Sequence, residues 1–175
     1  LENPEIELAG GSTVGMVLST TNSLIGYICN LTIGKKKYEE VQDEVLRIKK
    51  EANELKEKSL KVIDEDRVVL DKLLKAYKIR KEEPEKLEKA SKESVLFCNE
   101  VMEDAIKTLE LANRIEKVGN KMLESDFKIC KKYAFSSIES SIVNIDINLK
   151  YVKDEEFKNK IIENYTKKYN NAKKN

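Results

Sequence analysis

A chain of 175 residues, 40% apolar and 37% charged, with only six glycines and two prolines, is long enough for one core and too poor in turn-formers for a β-rich fold. It therefore reads as a single all-α domain over residues 1–175. Lys plus Arg number 33 and Asp plus Glu 32, which excludes the global field that gathers nucleic acid or an anionic membrane surface. Histidine is absent, so the usual zinc ligand and neutral-pH proton shuttle are missing, and carboxylates, lysines or tyrosines must move any protons.

In chain order, Leu8 to Gly34 carries no charged side chain. Its many Ser, Thr and Asn residues argue against a membrane span, and residues 1–7 lack the basic start of a signal peptide. A helix from about Ser12 to Ile33, buried by neighbours or a second subunit, is expected, with Gly10 and Gly11 forming a turn before Ser12 as N-cap. Such a helix end attracts carboxylate or phosphate. From Lys36 to about Arg80 no Gly or Pro interrupts the chain, and Val41, Val45, Ile48, Ala52 and Leu55 recur at steps of four and three, so one long amphipathic helix is predicted. The same steps continue through Ser59, Val62, Asp66, Val69 and Leu73, which leaves Asp66 as the acid on an apolar seam.

Pro84 suits the first turn of a third helix that stops at Gly119 as a C-terminal cap. Ser125 is then the expected N-cap of a fourth helix, with Asp126 in its first turn and a serine-rich middle. Asn144 and Asn148 lie one turn apart in it, placed to bond across a subunit contact or to reach a cleft. Asp154, Glu155 and Glu156 open a last helix, with Phe157, Ile161, Tyr165 and Tyr169 at steps of four; residues 170–175 are expected to fray. Three cysteines far apart, Cys29, Cys98 and Cys130, read as buried thiols of a reducing compartment, which points to the cytoplasm. The expected architecture is an elongated up-and-down bundle of about five helices.

Four stretches carry a resemblance: Ala9 to Ser12, Leu31 to Tyr38, Ile63 to Leu70 and Gly119 to Asp126, with Asn144 to Leu149 following in register. In this order and spacing they resemble the formimidoyltetrahydrofolate cyclodeaminase and methenyltetrahydrofolate cyclohydrolase family, over nearly the whole chain. The resemblance implies an all-helical homodimer that binds reduced folate, with or without a polyglutamate tail, near the glycine turn, with no metal, flavin or nucleotide cofactor. Ala9 stands where the family usually has a glycine, and Arg67 and Phe127 where it usually has small residues, so a bulkier cleft is expected.

Cyclohydrolase chemistry adds water to the cationic methenyl bridge and opens the ring. Cyclodeaminase chemistry closes it onto a formimino carbon and expels ammonia. Both need a group to take and return a proton, and both carry positive charge that a buried carboxylate stabilises. Asp66 is the first candidate, Asp64 the second and Asp126 the third. For Asp66 the structural alternative is a partly exposed acid paired with Lys61 or Arg67. With the family pattern, Gly10, Gly11 and Ser12 become a backbone cradle for pterin or carboxylate, and otherwise an ordinary cap. Lys35, Lys36 and Lys37 are candidates for the glutamate tail, or solvated lysines. Tyr38 is expected to stack on the ring or cover the core, and Asn120 and Ser125 to bind substrate or to close and cap a loop. Hydrolysis of methenyltetrahydrofolate is the leading expectation, followed by the cyclodeaminase; a non-catalytic folate-binding dimer and a coiled-coil-like structural protein are the readings outside enzymology.

Overall fold

Five α-helices follow one another through residues 8–174, the residues that the computed structural model describes: α1 (Gly10–Asn30), α2 (Gln42–Lys78), α3 (Pro84–Val118), α4 (Glu124–Leu149) and α5 (Glu155–Ala172). Short 3-10 turns, Lys36–Val41 and Lys121–Leu123, precede α2 and α4, and no strand occurs among the described residues. At 1.5 Å per residue α2 runs for about 55 Å, which makes the bundle elongated. The expectation about a leader in residues 1–7 falls outside the described residues. Among those described, no helix is long and apolar enough to cross a membrane.

Side-chain meetings fix the directions. Ser12 of α1 reaches Asp66 of α2, and the space beside Gly15 is closed by Ser59 and Val62, so α1 and α2 are antiparallel. Lys58 pairs with Asp104, and Arg114 with Glu51, which sets α3 antiparallel to α2. Asn144 of α4 lies beside Gly10, and Cys130 beside Thr21. Helix α1 thus touches α2, α3 and α4, which is why it needs no continuous polar face. α5 lies against α3 and α4, tied by Lys168 to Glu103, by Asn164 to Asn99 and by Tyr165 to Asp146.

The core divides into two lobes. One gathers Leu18, Val62, Val95, Met102, Ile138 and Ile145, with Phe157, Tyr165 and Tyr169 of α5 against it. The other gathers Ile25, Ile28, Ile48, Ile115, Phe127 and Cys130. The three cysteines are buried and unpaired.

Boundaries depart from expectation in instructive places. Helix α1 begins at Gly10, and Ser12 lies inside it rather than capping it. The long second helix starts late, because Tyr38 takes a non-helical conformation (φ −117°, ψ 21°) inside a 3-10 turn. Gly119 is extended (φ −76°, ψ 170°), so it is no left-handed cap. Its glycine is a matter of space: a Cβ there would stand 2.6 Å from the Ile115 carbonyl and 3.0 Å from the Phe127 ring. Phe127 is therefore core and adds no bulk to a cleft. Helix α4 starts at Glu124, so Ser125 sits exposed in its first turn without capping. Asp154 does cap α5, its carboxylate accepting from the Phe157 N–H at 3.0 Å. Helix α5 continues to Ala172, which is buried, where fraying was expected.

Candidate active site

The seam of α2 is polar at Ser59 and Asp66, and both positions face glycines of α1. Gly15 lets the Ser59 carbonyl approach, a Cβ there standing 2.9 Å from it. At Gly11 a Cβ would stand 2.0 Å from Asp66 Oδ1. Neither glycine has a left-handed φ; among the described residues only Gly34 does, at 74°. The glycine turn is thus built for close approach of helices rather than for backbone angles that only glycine adopts.

Asp66 is 9% exposed, and its Oδ2 accepts from the Ser12 N–H and the Ser12 hydroxyl, each at 2.8 Å. Neither Lys61 nor Arg67 holds it. The carboxylate does from a neighbouring helix what an N-cap does from within: it satisfies a free N–H of the first turn of α1 and faces the positive end of the helix dipole. Oδ1 accepts from no donor among the described residues. Cys98 of α3 lies close enough that the Asp66 charge reinforces burial in pushing its thiol up to about 12.

Beside this turn runs a groove of about 360 Å³ between α1 and α4, walled by Gly10, Thr13 and Val17 and by Ser136, Ser140 and Asn144. Among the described residues, no titratable side chain lines it. Ser137 and Ser141, inside the bundle, donate to the carbonyls one turn back. Ser136, Ser140 and the Asn144 carboxamide have no partner among the described residues.

The residues singled out from sequence fall into three places. Gly10, Gly11, Ser12 and Asp66 share the turn. Asp64 is exposed, because two residues along a helix is a rotation of about 200°; it points away from Asp66, so the first two candidate acids stand on different faces of α2. The rest stand at the opposite end of α1, roughly 27 Å off at 1.5 Å per residue. There the Asn120 N–H donates to Thr32 Oγ1 (3.0 Å), its amide to the Leu31 carbonyl (3.3 Å), and its Oδ1 accepts from the Tyr38 hydroxyl (3.3 Å) and the Met122 N–H (3.2 Å). The Lys121 N–H donates to the Tyr38 hydroxyl at 3.0 Å. This is a latch between the α1–α2 and α3–α4 connections, and Asn120 and the Tyr38 hydroxyl are engaged in it, away from the glycine turn. Lys35, Lys36 and Lys37 are exposed, with Lys37 5.7 Å from the Tyr38 ring centroid, and Asp126 is half-buried in the first turn of α4. The groove-lining serines went unassigned, although their spacing of four, Ser136, Ser140, Asn144, was the available signal.

Residues 2–167 match the family model for formiminotransferase-cyclodeaminase. The chain belongs to this family. Among curated proteins it is 27% identical over 158 residues to a methenyltetrahydrofolate cyclohydrolase of Methylorubrum extorquens, covering 85% of this chain and 74% of that one. Among solved structures it resembles the formiminotetrahydrofolate cyclodeaminase of Thermotoga maritima, with a TM-score of 0.90 and 25% identity over 99% of this chain and 85% of that one. Within the formiminotransferase-cyclodeaminase family, then, the Leu31 to Tyr38 stretch of this chain contributes a structural latch as well as an exposed lysine cluster.

Proposed function

We propose that this family member hydrolyses 5,10-methenyltetrahydrofolate to 10-formyltetrahydrofolate, with Asp66 as the catalytic carboxylate. The observation that carries the reading is a buried acid fastened to Ser12 at a glycine turn, beside a groove of ligand size to which the described residues bring no charge. Water attacks the bridging carbon of the cation as its proton passes to the carboxylate, giving a tetrahedral carbon bonded to N5, N10 and hydroxyl. The N5–carbon bond then breaks as N5 takes up a proton and the hydroxyl gives up its own to water, so the carbon stays on N10 as formyl. Asp66 supports the first step by charge and by accepting the proton, and the second by returning it. The residues act on folate alone, with no further cofactor.

The likeness to the Thermotoga cyclodeaminase favours a second reading. There N10 attacks a formimino carbon on N5, and ammonia leaves a tetrahedral carbon of the same kind, with amino in place of hydroxyl. Loss of methenyltetrahydrofolate absorbance, measured against the uncatalysed rate, is the test. Acceleration supports the hydrolase, ammonia release from formiminotetrahydrofolate supports the deaminase, and failure of both retires the catalytic role.

A second copy of the chain belongs to the proposal. The exposed stripe of α1 offers Thr13, Thr20 and Tyr27 without a charge, flanked by exposed Val143 and Ile147 of α4. A two-fold axis across the middle of α1 would bring the lysine end of one copy over the glycine turn of the other. Lys35, Lys36 and Lys37 would then meet the glutamate tail of a folate whose ring lies in the partner's groove.

A further inference from the structure

We propose that Asn144 is the specificity-determining residue for the ring of the substrate, pairing with the N3–H and the 4-oxo group of the pterin. The inference rests on the function proposed above and concerns what holds the substrate rather than what transforms it.

The edge of a reduced pterin presents a donor, N3–H, next to an acceptor, the 4-oxo oxygen. A complementary side chain must accept and donate from adjacent atoms in one plane. A carboxylate only accepts, and an ammonium or guanidinium only donates. Among the described residues that wall the groove no side chain is charged, and the one carboxamide is that of Asn144. Asn148, one turn on, is buried and donates to the Asn144 backbone carbonyl, so it does not compete for the role. The Asn144 side chain itself is half-buried and, among the described residues, unpartnered.

Position supports the assignment. Asn144 faces Gly10 while Asp66 lies against Gly11, so the two groups flank consecutive residues of a single turn. A Cβ at Gly10 would stand 3.5 Å from Asn144 Oδ1, an ordinary contact. Among the described residues, packing therefore does not require glycine at residue 10 as it does at residue 11. The uncovered backbone at Gly10 leaves a ledge on which a flat ring can lie, its edge at Asn144 and its bridge towards Asp66.

The test is calorimetric titration of the full chain with 5-formyltetrahydrofolate and, separately, with p-aminobenzoylglutamate, which has the tail but no ring. Asn144→Leu keeps the branched shape of the side chain and removes both hydrogen bonds. The dissociation constant for 5-formyltetrahydrofolate is expected to rise tenfold or more, and that for the tail fragment to stay within about twofold. Asn144→Asp, which keeps the acceptor and loses the donor, should fall between wild type and Asn144→Leu. Unchanged affinity in Asn144→Leu overturns the inference, as does a parallel loss for both ligands, which would mean that the groove itself had collapsed. Binding by the wild type without turnover of either substrate retires the catalytic reading and leaves edge recognition standing. No binding of 5-formyltetrahydrofolate by the wild type overturns both.

Discussion

Asp66 has a structural duty at the first turn of α1 and a proposed chemical one beside it, and substitution can separate them. In Asp66→Asn the amide oxygen can still accept from the Ser12 N–H, but it cannot hold a proton. Turnover should fall by about 10² to 10⁴-fold, the usual worth of a general acid or base. Weakening a charge-assisted hydrogen bond costs about 1–2 kcal/mol, a Tm loss of roughly 3–8 °C for a chain of this length. Full activity in an assay of Asp66→Asn would clear the residue of chemistry and leave it a cap. The two glycines give a sharper contrast. Gly11→Ala drives a methyl into the carboxylate, at 2.0 Å from Oδ1, and should lower the thermal midpoint by roughly 3–10 °C as Asp66 leaves Ser12. Among the described residues Gly10→Ala meets only ordinary contact, so its melting curve should match the wild type or improve on it, alanine being the better helix former by about 1 kcal/mol. If Gly10 serves the ligand, that same stable variant loses affinity for reduced folate. None of this contrast between neighbouring glycines is legible in Gly10-Gly11 as letters, because it depends on which atoms of α2 and α4 arrive from outside.

At the scale of elements, the two connections at the lysine end hold each other. Thr32 ends the first connection's buried network and Asn120 the second's, with Tyr38 and Gln42 completing it; the Gln42 amide donates to the Tyr38 carbonyl at 2.8 Å, and its oxygen accepts from the Gly34 N–H at 2.9 Å. Asn120→Ala removes three of these bonds, and unpaired buried groups should lower stability by about 1–3 kcal/mol. Amide hydrogen exchange should quicken at residues 31–42 and 119–126 with α3 and α5 unchanged. Protection lost evenly through the bundle would instead mean that the latch is not a local unit. The Leu31 to Tyr38 stretch was recognisable as a signature from sequence, but its Thr32 and Tyr38 hydroxyls are answered by Asn120, 88 and 82 residues away. Spacing along one helix cannot disclose such a partner. Two helix starts differ from expectation for a related reason: Ser12 and Ser125 have the chemistry of caps, yet the first is capped by another helix and the second sits one residue inside α4.

For the whole molecule, burial controls the alkaline limit. It pushes the thiols of Cys29, Cys98 and Cys130 up to about 12, and burial together with Asp146 pushes the Tyr165 hydroxyl to about 12. The folded chain keeps these protons where the unfolded chain, with thiols near 8.5, releases them. Their contribution is therefore complete below about pH 8.5 and is lost as pH rises towards 12. The urea midpoint should be flat from pH 7 to 8 and fall steadily by pH 10.5, and native thiols should resist iodoacetamide at pH 8. Rapid alkylation of the native chain would contradict such burial. Quaternary structure can be probed at Thr20, exposed midway along the uncharged stripe of α1. Thr20→Arg should give a folded monomer by light scattering, with turnover reduced at least tenfold if the partner's lysines complete the site. A wild-type chain that is monomeric and active at micromolar concentration would rule out the shared site.

The sequence by itself determined that the chain is helical, where most of its apolar faces lie, and which family it belongs to. Helix geometry is a property of the local backbone, and a period of three to four residues is visible wherever one face is buried. Tertiary structure alone decided that Asp66 turns inward to Ser12 while Asp64 faces water, that Asn120 is spent on a latch, and that Asn144 rather than Asn148 opens onto a groove. Each of these depends on the rotation and offset of one helix against another, set by where Gly11 and Gly15 allow α1 to sink against α2. That placement follows from packing the whole bundle at once and leaves no periodic trace in the chain.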